Sequence, residues 1–363
     1  MKIFVDCHVF DKGFQGTRSY IQGLYLELIK DEKKHFFLAA NDIENLKKTF
    51  GNPQNITYLN YKTKNPIFRL LIEIPMLIKK NKIDFAHFQY RVPPIKFCKY
   101  IVTTHDVLFE DFPEDFPVLN RLQCFYTYKY SAKISDVVFT VSEYSKRQIQ
   151  KHLKIENPIV MCNGVDKEFS KPYDKVLIQN EVKNKYGISN YIIYISRWEP
   201  RKNHHLLLKY FVELELYKNH HLVLIGDDTF KNLEYENYYN NINQEAKDKI
   251  KTFKRVDFEM MLLFLRGAKV SVYPSRAEGF GIPPLESIAA QIPTIVSNRT
   301  AMSDFDFFEK YAFNPENAND FKRALIDSID NPYNQMDYKK KCVNERYNWK
   351  LAATIFNTSI TDF

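Results

Sequence analysis

The sequence predicts an α/β protein made of two doubly wound parallel-sheet domains. Short runs rich in β-branched and aromatic residues alternate with stretches of helical period, which is typical of β-α units around a parallel sheet. The pattern fills the first half of the chain and restarts near residue 191. A length of 363 residues also corresponds to about two domains. We expect an inter-domain cleft, with ligands bound at the carboxyl ends of the strands.

Each half of the chain contains its own series of predicted strands. In the first half they are expected at 2–6, 35–40, 56–61, 85–90, 100–105, 137–141 and 159–162. A helix should follow the first strand, because apolar residues recur at helical spacing between 17 and 31. In the second half the strands are expected at 191–196, 221–225, 251–253, 269–273 and 294–297.

The stretch 167–190 is polar, contains Pro172 and lacks a long apolar run, so we expect the hinge there. This predicts one Rossmann-like domain over 1–170 and a second Rossmann-like domain over 171–345. A final helix in 346–363 is expected to pack back toward the first domain.

Composition and charge narrow the function classes. The net charge of +8 favours anionic partners such as nucleotides or acidic lipid surfaces. The five cysteines are scattered without a C-x-x-C pair, which fits a reducing, cytoplasmic setting and argues against a disulfide framework or zinc knuckle. The amino terminus, MKIFVDCHVF, is expected to be a first strand and not a signal peptide, and no apolar run is long enough for a membrane span.

The lysine clusters at 33–34, 47–48 and 79–82 are the kind that usually forms solvated surface, and the alternative hypothesis is peripheral contact with an anionic membrane, at the inner face of the cytoplasmic membrane. They are not organised with aromatic residues for base stacking, so no nucleic-acid partner is expected.

The strongest motif is EGFGIPPLE at 278–286, which follows a run that has the character of a buried strand. Its glycines allow a sharp turn, and its two prolines suit the first turn of a helix. The backbone N–H groups of Phe280 and Gly281, beside a helix N-terminus, form an anion site suited to phosphate. Glu286 lies eight residues after Glu278, and a glutamate can accept both hydroxyls of a ribose. An unrelated pair of glutamates would be structural, but this context favours a ligand site.

The second motif is SRWEPRKN at 196–203, at the end of the first strand of the second half. Arg197 and Lys202 lie beside the start of a helix, where two cations can neutralise a departing diphosphate. Without that position, the same residues would form a solvated basic loop.

Three weaker motifs complete the set. Gly13 and Gly16 form only G-x-x-G, which is poor evidence for NAD, although Gly16 could let the backbone approach a phosphate. His105 ends a predicted strand and would face the cleft, although a lone histidine is more often structural. Asp304 and Asp306 match a D-x-D pattern but follow the last predicted strand, so no metal site is expected there.

With these motifs in place, nearly the whole chain resembles the retaining, nucleotide-sugar-dependent glycosyltransferases of family 4, which have the GT-B fold. The span 278–286 is similar to that family's E-x7-E signature, and Arg197 with Lys202 resembles its diphosphate-binding pair. Gly16 matches the glycine of the first loop, and the segment 104–106 resembles the cleft histidine motif.

The resemblance implies that 1–170 is the acceptor-side domain and 171–345 the nucleotide-sugar-binding domain, and it implies a role for each of these residues. Glu286 would bind the donor ribose, and Glu278 and His105 would contact the transferred sugar. The implied donor-binding residues are Gly16, Arg197, Lys202, Glu278, Gly279, Phe280, Gly281 and Glu286. The implied catalytic residues are His105, Glu278, Arg197 and Lys202. No metal or other cofactor is expected, because the two cations would stabilise the leaving diphosphate.

The chain departs from the family pattern at three places. Gln291 stands where the family usually has a glycine, Ser303-Asp304 stands where a Pro-Glu pair is common, and Gly226 is followed by two aspartates. The first two departures leave catalysis plausible but weaken the prediction of how the signature helix packs and which residues contact the sugar there. The third lies on the donor side, so the base and the sugar stay open.

The leading interpretation is transfer of a sugar from a donor such as GDP-mannose or a UDP-sugar to a glycan or lipid-linked acceptor, in surface polysaccharide synthesis. A nucleotide-sugar epimerase of the same fold is an alternative, which would turn over its substrate without an acceptor. A non-catalytic nucleotide-sugar-binding subunit is another, which would bind the donor without turnover.

Overall fold

The computed structural model describes residues 1–11, 16–227, 232–331 and 335–361. The chain forms two compact units, one made of Met1–Gly164 with the chain from Tyr347 onward, the other of Val165–Arg346. All five cysteines lie in the described part, and none forms a disulfide. In that same part, no helix is both long enough and apolar enough to span a bilayer.

The first unit contains a seven-stranded parallel sheet with the order β3-β2-β1-β4-β5-β6-β7. Its strands are β1 (Lys2–Asp6), β2 (His35–Ala40), β3 (Ile56–Asn60), β4 (Phe85–Gln89), β5 (Lys99–Thr103), β6 (Val137–Thr140) and β7 (Ile159–Val160). Its helices are α1 (Gly16–Leu28), α2 (Ile43–Phe50), α3 (Pro66–Phe68), α4 (Ile74–Asn81), α5 (Leu108–Asp111), α6 (Val118–Ile134) and α7 (Glu143–Gln148), with a last one described below. Single turns of 3-10 helix occupy His8–Asp11 and Pro113–Asp115, and π-helix occupies Arg69–Glu73 and Ile149–Leu153.

The second unit contains a six-stranded parallel sheet with the order β10-β9-β8-β11-β12-β13. Its strands are β8 (Tyr191–Ile195), β9 (His221–Ile225), β10 (Ile250–Phe253), β11 (Val270–Tyr273), β12 (Thr294–Ser297) and β13 (Ala312–Phe313). Its helices are α8 (Lys167–Ser170), α9 (Lys175–Tyr186), α10 (His204–Glu213), α11 (Leu233–Asn241), α12 (Gln244–Asp248), α13 (Phe258–Gly267), α14 (Ile282–Ala289), α15 (Ala318–Asp330) and α16 (Met336–Arg346). Turns of 3-10 helix occupy Pro200–Lys202, Leu216–Lys218, Thr300–Asp304 and Asp306–Tyr311.

The chain ends in the first unit with α17 (Trp349–Thr361). Phe356 on this helix stacks on Phe139 of β6 and packs against Tyr25 of α1, so α1 and α17 cover the same face of the sheet. The opposite face buries a cluster that includes Phe4, Phe88 and residues of α4 and α6. Strands covered on both faces explain why the sequence shows continuous apolar runs and not alternation.

The two doubly wound parallel sheets predicted from the sequence are confirmed. β13, a strand of two residues, was not predicted. In both sheets the chain starts in the middle, builds one half and then crosses to the other. The resulting switch point lies between β1 and β4 in the first unit and between β8 and β11 in the second.

Candidate active site

The candidate site of the second unit lies at its switch point. The loop after β8 carries Arg197 and Lys202, and the loop after β11 carries residues 278–281. Because β8 and β11 are neighbouring parallel strands, both loops leave the same edge of the sheet. Two hydrogen bonds join the loops: Arg276 N–H donates to Arg201 O at 2.8 Å, and Asn203 Nδ2 donates to Pro274 O at 2.9 Å.

A buried ion pair forms the centre of this site. Lys202 Nζ lies 2.5 Å from Oε1 and 2.6 Å from Oε2 of Glu278, and Lys202 is only 9% exposed. Burial and the neighbouring Arg201 lower the pKa of Lys202. Burial alone would raise the pKa of Glu278, but Lys202 and Arg201 outweigh it and hold that pKa below its ordinary value. The cations beside it therefore favour the ionised form of Glu278.

Two arginines extend the positive charge of the Lys202 loop. Arg201 Nη1 donates to Ala277 O at 2.5 Å and lies 3.5 Å from Glu278 Oε2, while its Nη2 binds Glu199 Oε2 at 2.5 Å. Arg201 therefore clamps the two loops together. Arg197 binds the other oxygen of Glu199 at 2.5 Å, and its side chain is 48% exposed. Arg197 is thus the cation of this loop that is most accessible to a ligand.

The turn after Glu278 is held in a fixed conformation. Glu278 N–H donates to Thr300 Oγ1 at 2.9 Å, and Glu278 O accepts from Ala301 N–H at 3.3 Å. Gly281 has φ of +92°, and an added Cβ would lie 2.8 Å from Met302 Cγ. The position therefore requires a glycine. Phe280 is buried and packs edge-on against Phe305, and Gly279 lies between it and Glu278.

Helix α14 starts at this turn without a side-chain cap. Of its first three residues, only Ile282 has a backbone N–H, because Pro283 and Pro284 lack one. The start of α14 thus offers one helical donor beside the turn and the buried Lys202. The predicted helix start at the proline pair is confirmed.

Glu286 lies on α14, one turn after its start, and is half-buried. Burial and the nearby carboxylate of Asp166 raise the pKa of Glu286 to about 8. In the described part of the chain, no hydrogen bond or ion pair engages its carboxyl group. A half-buried carboxyl in this state suits a ligand that brings hydroxyl groups to it.

In the first unit, His105 lies two residues beyond β5, on the carboxyl edge of the sheet, and is 8% exposed. Its Nε2 is 2.6 Å from Oε1 of Gln89, which places the ring proton on Nε2 and leaves Nδ1 as an acceptor. Burial lowers the pKa of His105 to about 3, so the ring is neutral at pH 7. Tyr20 packs edge-on against it at 4.8 Å between ring centroids.

Gly16 is the first residue of α1 and is exposed, and a Cβ there would meet no atom within 4 Å. Gly13 and Asp228 lie outside the described residues. The structure thus brings together seven of the predicted residues, at 197, 202, 278–281 and 286, in the second unit. It places Gly16 and His105 in the first unit.

No group of three His, Cys, Asp or Glu side chains suited to a metal occurs within the described ranges. Asp306 of the D-x-D pattern forms an ion pair with Arg346 at 2.7 Å.

Sequence reasoning missed four residues of these sites: Arg201, Thr300, Asp166 and Gln89. Arg201 could have been found, because it is a third cation within the SRWEPRKN motif. Asp166 lies in the segment NGVD at 163–166, which resembles the family's approach to the hinge but indicates no contact with Glu286. Thr300 and Gln89 contribute through folding, and nothing in their local sequence marks them.

Two family profiles match the chain. The profile of the glycosyl transferases group 1 matches residues 178–349, and that of glycosyltransferase family 4 matches residues 15–169. The chain belongs to this glycosyltransferase family.

Two relatives show the sequence identity and the coverage of these matches. Glycosyltransferase MJ1178 of Methanocaldococcus jannaschii is 26% identical over 261 residues, which cover 70% of this chain and 68% of the relative. The O-antigen chain mannosyltransferase RfbU of Salmonella typhimurium is 26% identical over 236 residues, covering 64% of this chain and 61% of RfbU. This chain therefore spans less than two thirds of the length of RfbU.

The family 4 fold is also seen in solved structures. Anabaena HepE, solved in complex with UDP-glucose, matches with a TM-score of 0.73 over 100% of both chains at 14% identity. At that identity the similarity shows the fold alone, which is GT-B, as predicted from the sequence.

Proposed function

We propose that this glycosyltransferase moves a hexose from a nucleotide-diphosphate sugar to a glycan or lipid-linked acceptor, with retention of the anomeric configuration. The observation that carries the proposal is the constellation at the second unit's switch point. Cations, a glycine turn, an uncapped helix start and an unengaged carboxyl share one edge of the sheet. Those are the groups that a diphosphate and a ribose require.

In this proposal Arg197 and Lys202 bind the donor diphosphate, assisted by the N–H groups of the turn at 279–281. Lys202 already holds Glu278, so an incoming phosphate would share its ammonium group. Because Glu278 keeps the Lys202 side chain in place, the ammonium group would be buried and already directed at the phosphate. A preorganised charge stabilises a departing anion better than a mobile one. Gly16 of the first unit would let the backbone approach a phosphate, because it carries no side chain.

Glu286 is proposed to bind the donor ribose. Its carboxyl group faces no competing protein donor, and both of its oxygens can accept hydroxyl hydrogen bonds. Burial and Asp166 raise the pKa of Glu286 to about 8, which favours the protonated form in the free protein, and hydroxyl groups donated by a ribose would favour the ionised form.

Glu278 is proposed to contact the transferred sugar from the second unit, and His105 is proposed as a sugar-contacting residue of the first unit. In the retaining step, the bond from the anomeric carbon to the diphosphate oxygen breaks, and a bond from the acceptor oxygen forms on the same face. The acceptor's proton passes to the leaving phosphate. Arg197 and Lys202 carry the charge of that leaving group, so the reaction is proposed to need no metal.

The donor panel follows from the relatives. RfbU is a mannosyltransferase of O-antigen chains, which supports GDP-mannose and surface polysaccharide synthesis. HepE was solved with UDP-glucose, which supports a UDP-sugar. A cytoplasmic location, at the inner face of the membrane, is part of the same proposal.

The test is a thermal-shift panel of nucleotide sugars and free nucleotides in the presence of EDTA. One donor should raise the melting temperature of the wild type, and Glu286→Ala should lose that shift. The matched control is Glu245→Ala, an exposed glutamate on α12 before the amino end of β10, which should keep it. An equal shift in all three proteins would contradict the ribose role of Glu286.

Turnover then separates transfer from the two alternatives. Acceptor-dependent release of nucleoside diphosphate supports the transferase. Conversion of the donor into its epimer without an acceptor would indicate the epimerase, and binding without turnover would indicate the non-catalytic subunit.

A further inference from the structure

Exposed apolar side chains are concentrated on the first unit. Of the 21 large apolar side chains that are exposed among the described residues, 12 lie in three segments, 61–82, 91–99 and 118–134. These segments contain α3, the π-helical turn, α4 and α6. Leu119 is 83% exposed, Ile67 67% and Met76 65%. Side chains so exposed and so close in sequence are unusual for a surface that faces only water.

The three segments meet at one groove, which has a volume of about 560 Å³. Leu70 and Leu71 line it from the first segment, Val92 and Pro94 from the second, and Tyr126 and Tyr130 from the third. Tyr130 Oη donates to Pro94 O at 3.1 Å, which ties α6 to the middle segment. We call this surface the apolar face.

The apolar face is also the most basic part of the chain. Its three segments contain twelve Lys and Arg residues and one acidic residue, Glu73. The whole chain has 52 basic and 44 acidic residues, so the remainder has 40 against 43. All of the net positive charge therefore resides on these segments. Glu73 accepts backbone N–H bonds from Lys62 and Thr63, so its charge is turned toward the chain.

The other lysine clusters are partly neutralised by neighbours. Lys34 pairs with Asp31 at 2.9 Å and is only 12% exposed, and Lys47 pairs with Glu44 at 3.0 Å. Of the three clusters singled out in the sequence, only that at 79–82 belongs to the apolar face, where Lys79 and Lys80 are exposed.

We propose that the apolar face docks this protein on an anionic phospholipid bilayer. Aliphatic side chains such as Ile67, Met76 and Leu119 enter the boundary between headgroups and acyl chains, and the surrounding lysines bind lipid phosphates. A second copy of the chain is a poor occupant, because two such faces would bring like charges together. The inference rests on the proposed function in one respect: a lipid-linked acceptor would be presented at such a surface.

The experiment is flotation of the full chain with vesicles of phosphatidylcholine and phosphatidylglycerol, compared with phosphatidylcholine alone. The wild type should bind the anionic vesicles, and binding should weaken as salt rises. The triple variant Ile67→Ser, Met76→Ser, Leu119→Ser should bind at least about ten-fold more weakly, because its insertion is lost. A further variant, Lys79→Glu with Lys80→Glu, should bind more weakly at low salt.

The second unit offers a matched control. Val176, Leu177 and Leu233 are 64%, 66% and 63% exposed, and they lie on α9 and α11. Their triple serine variant should bind the vesicles like the wild type. Equal loss in both triple variants, or no binding of the wild type at low salt, would overturn the proposal. A wild-type dimer that the first triple variant abolishes would overturn it in favour of a second copy.

Donor binding provides the separate readout. Both triple variants should keep the thermal shift produced by the nucleotide sugar, since none of their substitutions lies at the donor site. Vesicle binding without any donor shift would reject the proposed function and leave the docking face standing. The reverse result would reject the docking face alone.

Discussion

Lys202 and Glu278 form an ion pair whose burial costs solvation free energy. Each is largely removed from water, and each satisfies the other at 2.5–2.6 Å. A buried ion pair contributes little net stability, because the desolvation cost offsets the attraction. In the proposed function this pair holds the amino group of Lys202 in place for the donor diphosphate.

Replacing Lys202 with Ala should slow sugar transfer by about 10²–10³-fold, the scale expected when a preorganised donor to a developing charge is lost. The rate should be measured well below the melting temperature, because the variant also leaves Glu278 without its main partner. Arg323→Ala is a suitable control, since Arg323 is 42% exposed and its ion pairs within the described residues are with Asp320 and Asp327 of its own helix. A wild-type rate for Lys202→Ala would refute its role.

Glu286 predicts a specific dependence of stability on pH. Its pKa is about 8 in the folded protein, whereas an ordinary glutamate titrates near 4.3. The folded protein thus holds this proton more tightly, so its contribution to stability is complete below about pH 4 and is lost as the pH rises through about 8. Glu286→Gln cannot ionise and should escape this loss.

Thermal unfolding without nucleotide, at about pH 5 and about pH 9, measures the effect. At the higher pH, Glu286→Gln should exceed the wild type in stability by a few kcal/mol at most, about 1.4 kcal/mol for each unit of pKa shift. Near pH 5 the two proteins should be much closer. Parallel stability curves would mean that the carboxyl group is better solvated than its surroundings indicate.

At the scale of elements, most of the sheet could be predicted because its strands are buried on both faces. The predicted bounds of β1, β2, β9 and β12 match those observed. Helix α1 begins at Gly16 as a continuous helix, close to the predicted start. The side-chain contacts of the site were harder to predict from the sequence, because Thr300 and Asp166 come from segments outside the motifs.

The end of α14 explains one departure from the family pattern. Gln291 has φ of +57°, the left-handed conformation that usually calls for glycine just beyond a helix. Its N–H donates to Ile288 O at 2.9 Å, and its side chain bonds Asp337 at 2.7 Å. Gln291 therefore adopts the left-handed conformation without a glycine, held by its bonds to Ile288 and to Asp337 of α16.

The turn before α14 is expected to tolerate no side chain at Gly281. Gly281→Ala would combine a left-handed backbone with a Cβ at 2.8 Å from Met302, so it should lower the free energy of unfolding by about 1–3 kcal/mol. Chemical denaturation of the two proteins measures this difference. Equal stability would mean that the turn relaxes easily and is a weak scaffold for phosphate.

Gly16 should behave in the opposite way. Gly16→Ala meets no neighbouring atom and gains helix propensity, so stability should stay the same or rise slightly. Donor affinity should fall by about ten-fold, or 1.4 kcal/mol, if the backbone lies against a donor phosphate. Calorimetric titration with the donor found in the thermal-shift panel decides this. Unchanged affinity would remove Gly16 from the donor site.

At the scale of the whole molecule, the six strands of the second sheet follow the same order as the first six strands of the first sheet, but the two units carry different functional side chains. The second unit concentrates cations and carboxyl groups at its switch point, whereas the first has a neutral histidine and an apolar, basic surface. This division follows from sequence motifs in the second unit, where the chemistry is local. In the first unit the exposed apolar face could not be predicted, because exposure depends on which helices pack over which.

The most direct test of the account follows the donor by NMR in excess EDTA, with short mannose oligosaccharides as trial acceptors and water as the only acceptor in a parallel run. Retaining transfer should release nucleoside diphosphate and give a first product with the anomeric configuration of the donor. Turnover that strictly requires a divalent cation, an inverted product or an epimerised donor would contradict it.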